Sequence, residues 1–162
     1  SIKDFKIFEQ TVKLSWIELK HFSEIKKKIV FGNFLSDVSA LIKLINKEKS
    51  PRKKLLNLKE IYDSIGFLLI FNGVGPDFGV DDQLPILNYA LVKTQPLRLY
   101  SDTKYMELYI GEKKKHLEGS LLIQLLTCCQ YIADIKSSDL INVTEEEFNK
   151  NCLEATKEDI QK

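Results

Sequence analysis

Two adjacent carboxylates are the most informative reactive groups in this chain. Asp81 and Asp82 open the stretch Gly79-Val80-Asp81-Asp82-Gln83-Leu84-Pro85-Ile86-Leu87-Asn88-Tyr89-Ala90-Leu91-Val92-Lys93, in which Pro85 leads into an almost wholly apolar helix. Proline has no amide hydrogen, so it suits the first turn of a helix, where no donor is needed. That places the helix start at about Asp82, whose carboxylate can cap the free amides and favour the helix dipole. Asp81 then has two readings. It is a second cap sharing that task, or it is a carboxylate held at the lip of a buried helix with no local role.

Other kinds of chemistry find little support. Metal sites need close clusters of imidazole or thiolate donors, and the two histidines, His21 and His116, lie far apart in the sequence. Both read as ordinary surface residues, and no metal site is expected. Nucleophilic catalysis by Ser or Cys would want a His and an orienting acid. Cys128 and Cys129 sit inside an apolar run and read as small core residues. The glycines of Asn72–Gly79 have the wrong spacing for a phosphate-binding loop, and no Gly-Lys-Ser/Thr follows, so the segment reads as a helix connection. The runs Lys26-Lys27-Lys28 and Lys113-Lys114-Lys115 read as solvated faces.

The elements that must position these groups are helical. The chain has 162 residues, 44% of them hydrophobic, enough for one core. A net charge of +1 gives no global pull toward nucleic acid or anionic membrane. The three cysteines, with no Cys-x-x-Cys pair, fit a reduced, intracellular protein. The longest apolar run, Ile65 to Phe71, is far short of the roughly 20 residues of a spanning helix. The chain begins at Ser1 without a methionine, which leaves room for targeting signals and companion domains to have been cut away.

Four prolines and seven glycines fall almost entirely between apolar helical stretches, with no convincing period-two strand pattern. Phe5, Phe8, Val12, Trp16 and Leu19 would form one face of a long first helix. Phe34, Val38, Leu41, Ile42 and Ile45 mark a second after a turn at Gly32-Asn33. Ser50 caps a third with Pro51 in first position, and Leu58, Ile61, Ile65 and Leu68 give it a buried stripe. Helix 84–94 is apolar nearly all round, as a central helix would be, and Gln95-Pro96 ends it. A short helix is predicted from about Asp102 to Ile110, then a polar loop from Gly111 to Gly119. A helix over 120–136 carries Leu121, Leu122, Leu125, Leu126, Cys129 and Ile132. Thr144-Glu145-Glu146-Glu147 is a capping box for a last helix. The expected product is one all-α, layered domain.

The aspartate stretch also resembles the signature of the vacuolar-protein-sorting-nine (Vps-nine) domain, in which Asp-Asp-x-x-Pro leads into an apolar helix. Pro51-Arg52-Lys53-Lys54-Leu55 is similar to the family's Pro-x-x-Lys-Leu helix start. Lys93-Thr94-Gln95-Pro96-Leu97-Arg98-Leu99-Tyr100-Ser101 is similar to its Lys-x-x-Pro-x-x-Leu-x-Ser linker. Tyr105-Met106 falls where the family has Tyr-Ile, and Glu118-Gly119 with Gln130-Tyr131-Ile132 brackets a helix resembling its last catalytic one. The resemblance covers residues 50–132, with the motifs in order and nearly at the family's spacings.

It implies a guanine-nucleotide exchange factor for Rab GTPases of the Rab-five subfamily, working in endosomal traffic without covalent chemistry or a cofactor. In that family two central helices make an apolar groove for the GTPase switch regions, and the first aspartate of the motif acts as a finger. Asp81 occupies that position. Asp82, Leu84, Pro85, Asn88, Ser120, Ile123 and Gln124 are the corresponding candidates for GTPase binding. The implied setting is cytoplasmic and endosome-associated, peripheral to the membrane through other domains, with no nucleic-acid partner. Residues 1–49 are expected to form N-terminal helices, 50–136 the catalytic core and 137–162 a C-terminal helix packing on it.

The pattern is broken at a few places. Aligned on Gly119 and Tyr131-Ile132, Ser120 stands where the family usually has Tyr and Ile123 where it has Thr. The loop before Gly119 is about two residues short, and Gln83 replaces a common Phe or Leu. Two alternatives therefore stay open: a degenerate domain that binds a Rab GTPase without catalysing exchange, and a structural domain whose groove packs against another part of a longer chain.

Overall fold

The computed structural model describes residues 1–25, 27–111 and 117–161. Its helices are α1 (Ile2–Lys13), α2 (Phe34–Lys47), α3 (Pro51–Phe71), α4 (Val80–Thr94), α5 (Leu99–Ile110), α6 (Leu117–Ala133) and α7 (Glu145–Gln161), with short 3-10 turns at Leu19–His21 and Ser137–Asp139. No strand occurs among the described residues, so the all-helical expectation holds.

Local signals set several of these boundaries. Ser50 Oγ accepts a hydrogen bond from the Lys53 amide at 3.3 Å and Pro51 is the first helical residue, so α3 begins where its cap requires. Thr144 Oγ accepts from the Glu147 amide at 3.1 Å and starts α7 in the same way. Gln95 ends α4 in the left-handed conformation, φ 50°. Other boundaries lie elsewhere than the sequence indicates. Helix α5 starts at Leu99 rather than Asp102, and α6 runs Leu117–Ala133 rather than 120–136.

Helix α4 lies at the centre, touching α1, α2, α3 and α6. Ile86, Leu87, Ala90, Leu91 and Val92 are all buried there. Helix α2 runs along α3, α5 along α6, and α7 packs on α1. The predicted stripe Leu58, Ile61, Ile65 and Leu68 of α3 is buried. Leu87 of α4 and Leu125 of α6 are 1% and 2% exposed. Truncating either to alanine removes core contacts and leaves a cavity. An expected loss of about 2–5 kcal/mol is checked by urea unfolding.

The first helix corrects the sequence reading. It is short, and its buried line is Asp4, Ile7 and Thr11, with Phe5 left 69% exposed. The reason is a long-range polar contact. The Asp4 carboxylate accepts from the Ser101 amide at 3.0 Å and from the Ser101 hydroxyl, so this buried carboxylate draws its own face of the helix inward. A second buried polar link joins α3 to α5. Lys54 Nζ lies 2.9 Å from Asp102 Oδ1 and also donates to the Ile45 carbonyl at the end of α2. Lys93 Nζ donates to the Ser15 carbonyl at 2.7 Å. Lys54, Lys93 and Ser101, three residues that carry the family resemblance, thus work in holding the fold.

His21 is a further correction, because it is buried rather than on the surface. Its Nδ1 accepts from the Glu18 amide at 2.9 Å and its ring packs edge-on against Trp16. Burial, aided by Lys20, pushes the His21 pKa below 6.5. A histidine whose pKa falls on folding stabilises most above the unfolded value, and that contribution is lost as pH drops through about 6.5 toward the folded value. Denaturant unfolding should therefore show the advantage of wild type over His21→Asn shrinking as pH is lowered from 7.5 to 5.5. His116, Lys26 and Lys113–Lys115 lie outside the described residues.

Candidate functional site

The carboxylate pair sits differently from the cap inferred from Pro85. Helix α4 starts two residues earlier, at Val80, with Gly79 as its cap. Asp82 is the third helical residue rather than the cap, and its Oδ2 reaches back to accept from the Gly79 amide at 3.0 Å. This is the reciprocal half of a capping box, which a glycine cap leaves to the acid alone. Pro85 consequently lies in the second turn. Its missing amide leaves the Asp81 carbonyl without a donor from residue 85. The helix accepts this because its opening turn projects into solvent, where water can satisfy that oxygen.

Asp81, the second helical residue, is exposed. Its side chain has no hydrogen bond or ion pair among the described residues. The neighbouring acid is committed to the backbone and Asp81 is free of it, so the shared-cap reading fails. Counting along the helix, Asp81, Leu84, Pro85 and Asn88 share one face, opposite the buried Ile86, Leu87 and Ala90. Leu84, Pro85 and Asn88 are half-buried.

The loop before the helix is fixed at both ends. Asn72, which ends α3, donates from Nδ2 to the Val30 carbonyl at 3.1 Å, and its Oδ1 accepts from the Val30 amide at 2.7 Å. At the other end the Phe78 ring rests on the backbone of Gly66 in α3. A Cβ there would stand 3.0 Å from the ring, so only glycine leaves room for this contact without a shift. Gly73 and Gly75 take positive φ values, 76° and 102°, in the turn between. The sequence reading passed over Phe78, Gly66 and Asn72. One signal was present: Phe78 is a lone aromatic in a connection otherwise rich in glycine.

Helix α6 forms the second wall. The Tyr62 hydroxyl donates to the Leu121 carbonyl at 3.2 Å, tying α3 to the opening turns of α6. Burial pushes the phenol pKa well above its ordinary value. A cleft of about 470 Å³ brings Gln83 of α4 together with Leu117, Leu121 and Gln124 of α6, and with Phe67, Ile70 and Phe78. The first turns of α4 and α6 are therefore neighbours. Ser120 and Ile123, the latter 54% exposed, face outward, and Gln124 is half-buried. Asn88 Oδ1 and Gln124 Oε1 are buried oxygens with no donor among the described residues.

The two buried thiols are not poised as nucleophiles. Cys128 and Cys129 are each 1% exposed, and burial pushes the Cys129 thiol up to about 12. A thiol so protonated at neutral pH neither attacks nor coordinates readily. Among the described residues no group of three or more His, Cys, Asp or Glu side chains is placed to hold a metal ion. No described helix is long and apolar enough to cross a membrane.

The class these features define is an all-helical domain with two of its three thiols, Cys128 and Cys129, shut inside, an open and largely apolar cleft, and one uncommitted carboxylate at the start of its central helix. More particularly, the chain belongs to the vacuolar sorting protein 9 (VPS9) domain family, whose model matches residues 35–138. That is a family of exchange factors for Rab-type GTPases. The chain is 30% identical over 115 residues to vacuolar protein sorting-associated protein 9A of Arabidopsis thaliana, covering 68% of this chain and 22% of that protein. It thus spans about a fifth of the length of the curated relative it matches.

Proposed function

We propose that this chain accelerates GDP release from a small GTPase of the Rab-five subfamily in endosomal traffic. Asp81 is the acting carboxylate, with Asp82, Leu84, Pro85, Asn88, Ser120, Ile123 and Gln124 contributing the docking surface. The observation that carries this reading is the division of labour at the start of α4. Asp82 bonds the Gly79 amide, while Asp81 is exposed and uncommitted on the helix face that also carries Leu84, Pro85 and Asn88.

The physical route is electrostatic. A GTPase holds its nucleotide through phosphates on the P-loop lysine and magnesium. A carboxylate brought into that pocket competes with phosphate for the same cation and repels the departing nucleotide. It then pairs with the vacated lysine. Exchange follows from preferential binding of the nucleotide-free state, so one well-placed charge and a complementary groove suffice. The unpartnered oxygens of Asn88 and Gln124 support the docking surface, since a partner's donors would satisfy groups that otherwise cost about 1–3 kcal/mol each when left dry.

Release of a fluorescent GDP analogue from a panel of Rab-five-subfamily GTPases tests the proposal. Acceleration of at least one member is expected. Stable binding of a GTPase with unchanged release would favour the second reading, a domain that recognises without exchanging. The exposed Ser120 and Ile123, in place of the usual Tyr and Thr, motivate that alternative.

A further inference from the structure

A larger cleft of about 700 Å³ adjoins the first along the exposed face of α3, sharing Asp63 and Phe67 with it, and extends to the segment that leads into α2. Phe67 and Phe71 border it, 71% and 68% exposed, with ring centroids 6.3 Å apart and planes within 19° of parallel. They sit one helical turn apart, and Phe31 contributes to the floor. Three carboxylates, Asp37, Glu60 and Asp63, line the same cleft, and among the described residues no Lys or Arg lines it. All three are exposed, and none has a side-chain hydrogen bond or ion pair among the described residues. In a chain of net charge +1 this is a local excess of negative charge around an aromatic floor.

We propose that this face binds an amphipathic helix of a partner protein, with bulky apolar anchors one turn apart and Lys or Arg on its flanks. Two stacked aromatic rings left in water are unused apolar surface of the kind that marks interaction sites. Their one-turn spacing suits anchors at i and i+4 on a docked helix, the recurring helix-in-groove arrangement. The carboxylate rim selects the charge of the partner. It repels phosphate backbones and anionic lipid headgroups and attracts basic flanks, speeding encounter and disfavouring acidic competitors. The site is also built in advance. The paired hydrogen bonds between Asn72 and Val30 hold one wall against the end of α3, so little ordering is needed on binding.

The test uses fluorescence anisotropy with a labelled peptide of about five helical turns, leucine at the i, i+3, i+4 positions and lysine elsewhere, beside a twin with glutamate in place of lysine. The lysine peptide is expected to bind saturably and more weakly as salt is raised, and the glutamate twin to bind at least about ten-fold more weakly. Glu60→Lys with Asp63→Lys, and separately Phe67→Ser with Phe71→Ser, should each weaken the lysine peptide at least about ten-fold. These positions are exposed, and matched thermal unfolding midpoints will show that the variants are folded. Equal binding of both peptides, indifference to both pairs of substitutions, or no saturable binding below about 1 mM would overturn the proposal. So would concentration-dependent dimerisation abolished by Phe71→Ser, which would assign the face to a second copy of this chain.

Discussion

An Asp81→Ala variant is expected to fold as the wild type does and to lose most of its acceleration of GDP release. The side chain is exposed and makes no bond among the described residues, so the cost to stability should stay within about 0.5–1 kcal/mol, chiefly a weakened interaction with the helix dipole. The cost to exchange should be far larger. Truncating one partner of a close, desolvated charge pair removes about 2–5 kcal/mol, which is roughly thirty-fold or more in the release rate at fixed exchange-factor concentration. Two companions separate the causes. Asp81→Asn keeps the shape and a hydrogen-bonding group but not the charge, and it should fail nearly as badly. Asp82→Ala removes the bond to the Gly79 amide, at about 1 kcal/mol of stability, and should retain more exchange than Asp81→Ala. Full activity of Asp81→Asn would refute the electrostatic route, and an unfolded Asp81→Ala would refute the separation of roles between the two acids.

Lys54→Met should produce the largest loss of stability of any single substitution considered for this chain. Lys54 and Asp102 are 4% and 5% exposed and stand 2.9 Å apart, so removing the cation strands a buried carboxylate and also takes the donor from the Ile45 carbonyl. A loss of about 3–5 kcal/mol follows. At roughly 2–4 °C per kcal/mol for a chain of this size, the melting midpoint should fall by about 6–20 °C. The double variant Lys54→Met with Asp102→Leu removes both charges together and should recover much of that loss, because an apolar pair of similar volume avoids the desolvation penalty. Calorimetry of the four proteins gives the coupling directly. A double variant no better than the sum of the singles would show that the pair contributes by packing rather than by charge.

These two predictions draw on different kinds of legibility. The Asp81 prediction rests on residues that sit together in the sequence and could be picked out before any coordinates. The Lys54 residue was visible as part of the Pro-x-x-Lys-Leu start of α3, but its partner was not. Asp102 lies 48 positions away, and nothing in helical periodicity pairs a lysine with an acid at that distance. The same holds for Asp4, whose burial depends on two donors from Ser101, 97 positions on. Reading apolar spacing alone chose Phe5 and Phe8 for the buried face, and the polar contact reversed that choice.

By itself the sequence determined the helical class, the caps at Ser50 and Thr144, the buried stripes of α2 and α3, and the family through its ordered motifs. Each is a local relation, set by neighbours within about one or two turns. Only the tertiary structure decided which face α1 buries, where His21 lies, and that α4 opens at Val80 with Asp82 reaching back rather than capping. It alone shows the first turns of α4 and α6 drawn together beside Phe78. Those outcomes turn on hydrogen bonds, ion pairs and contacts between residues far apart in the chain, where the cost of burying a polar group is met only once a distant partner arrives.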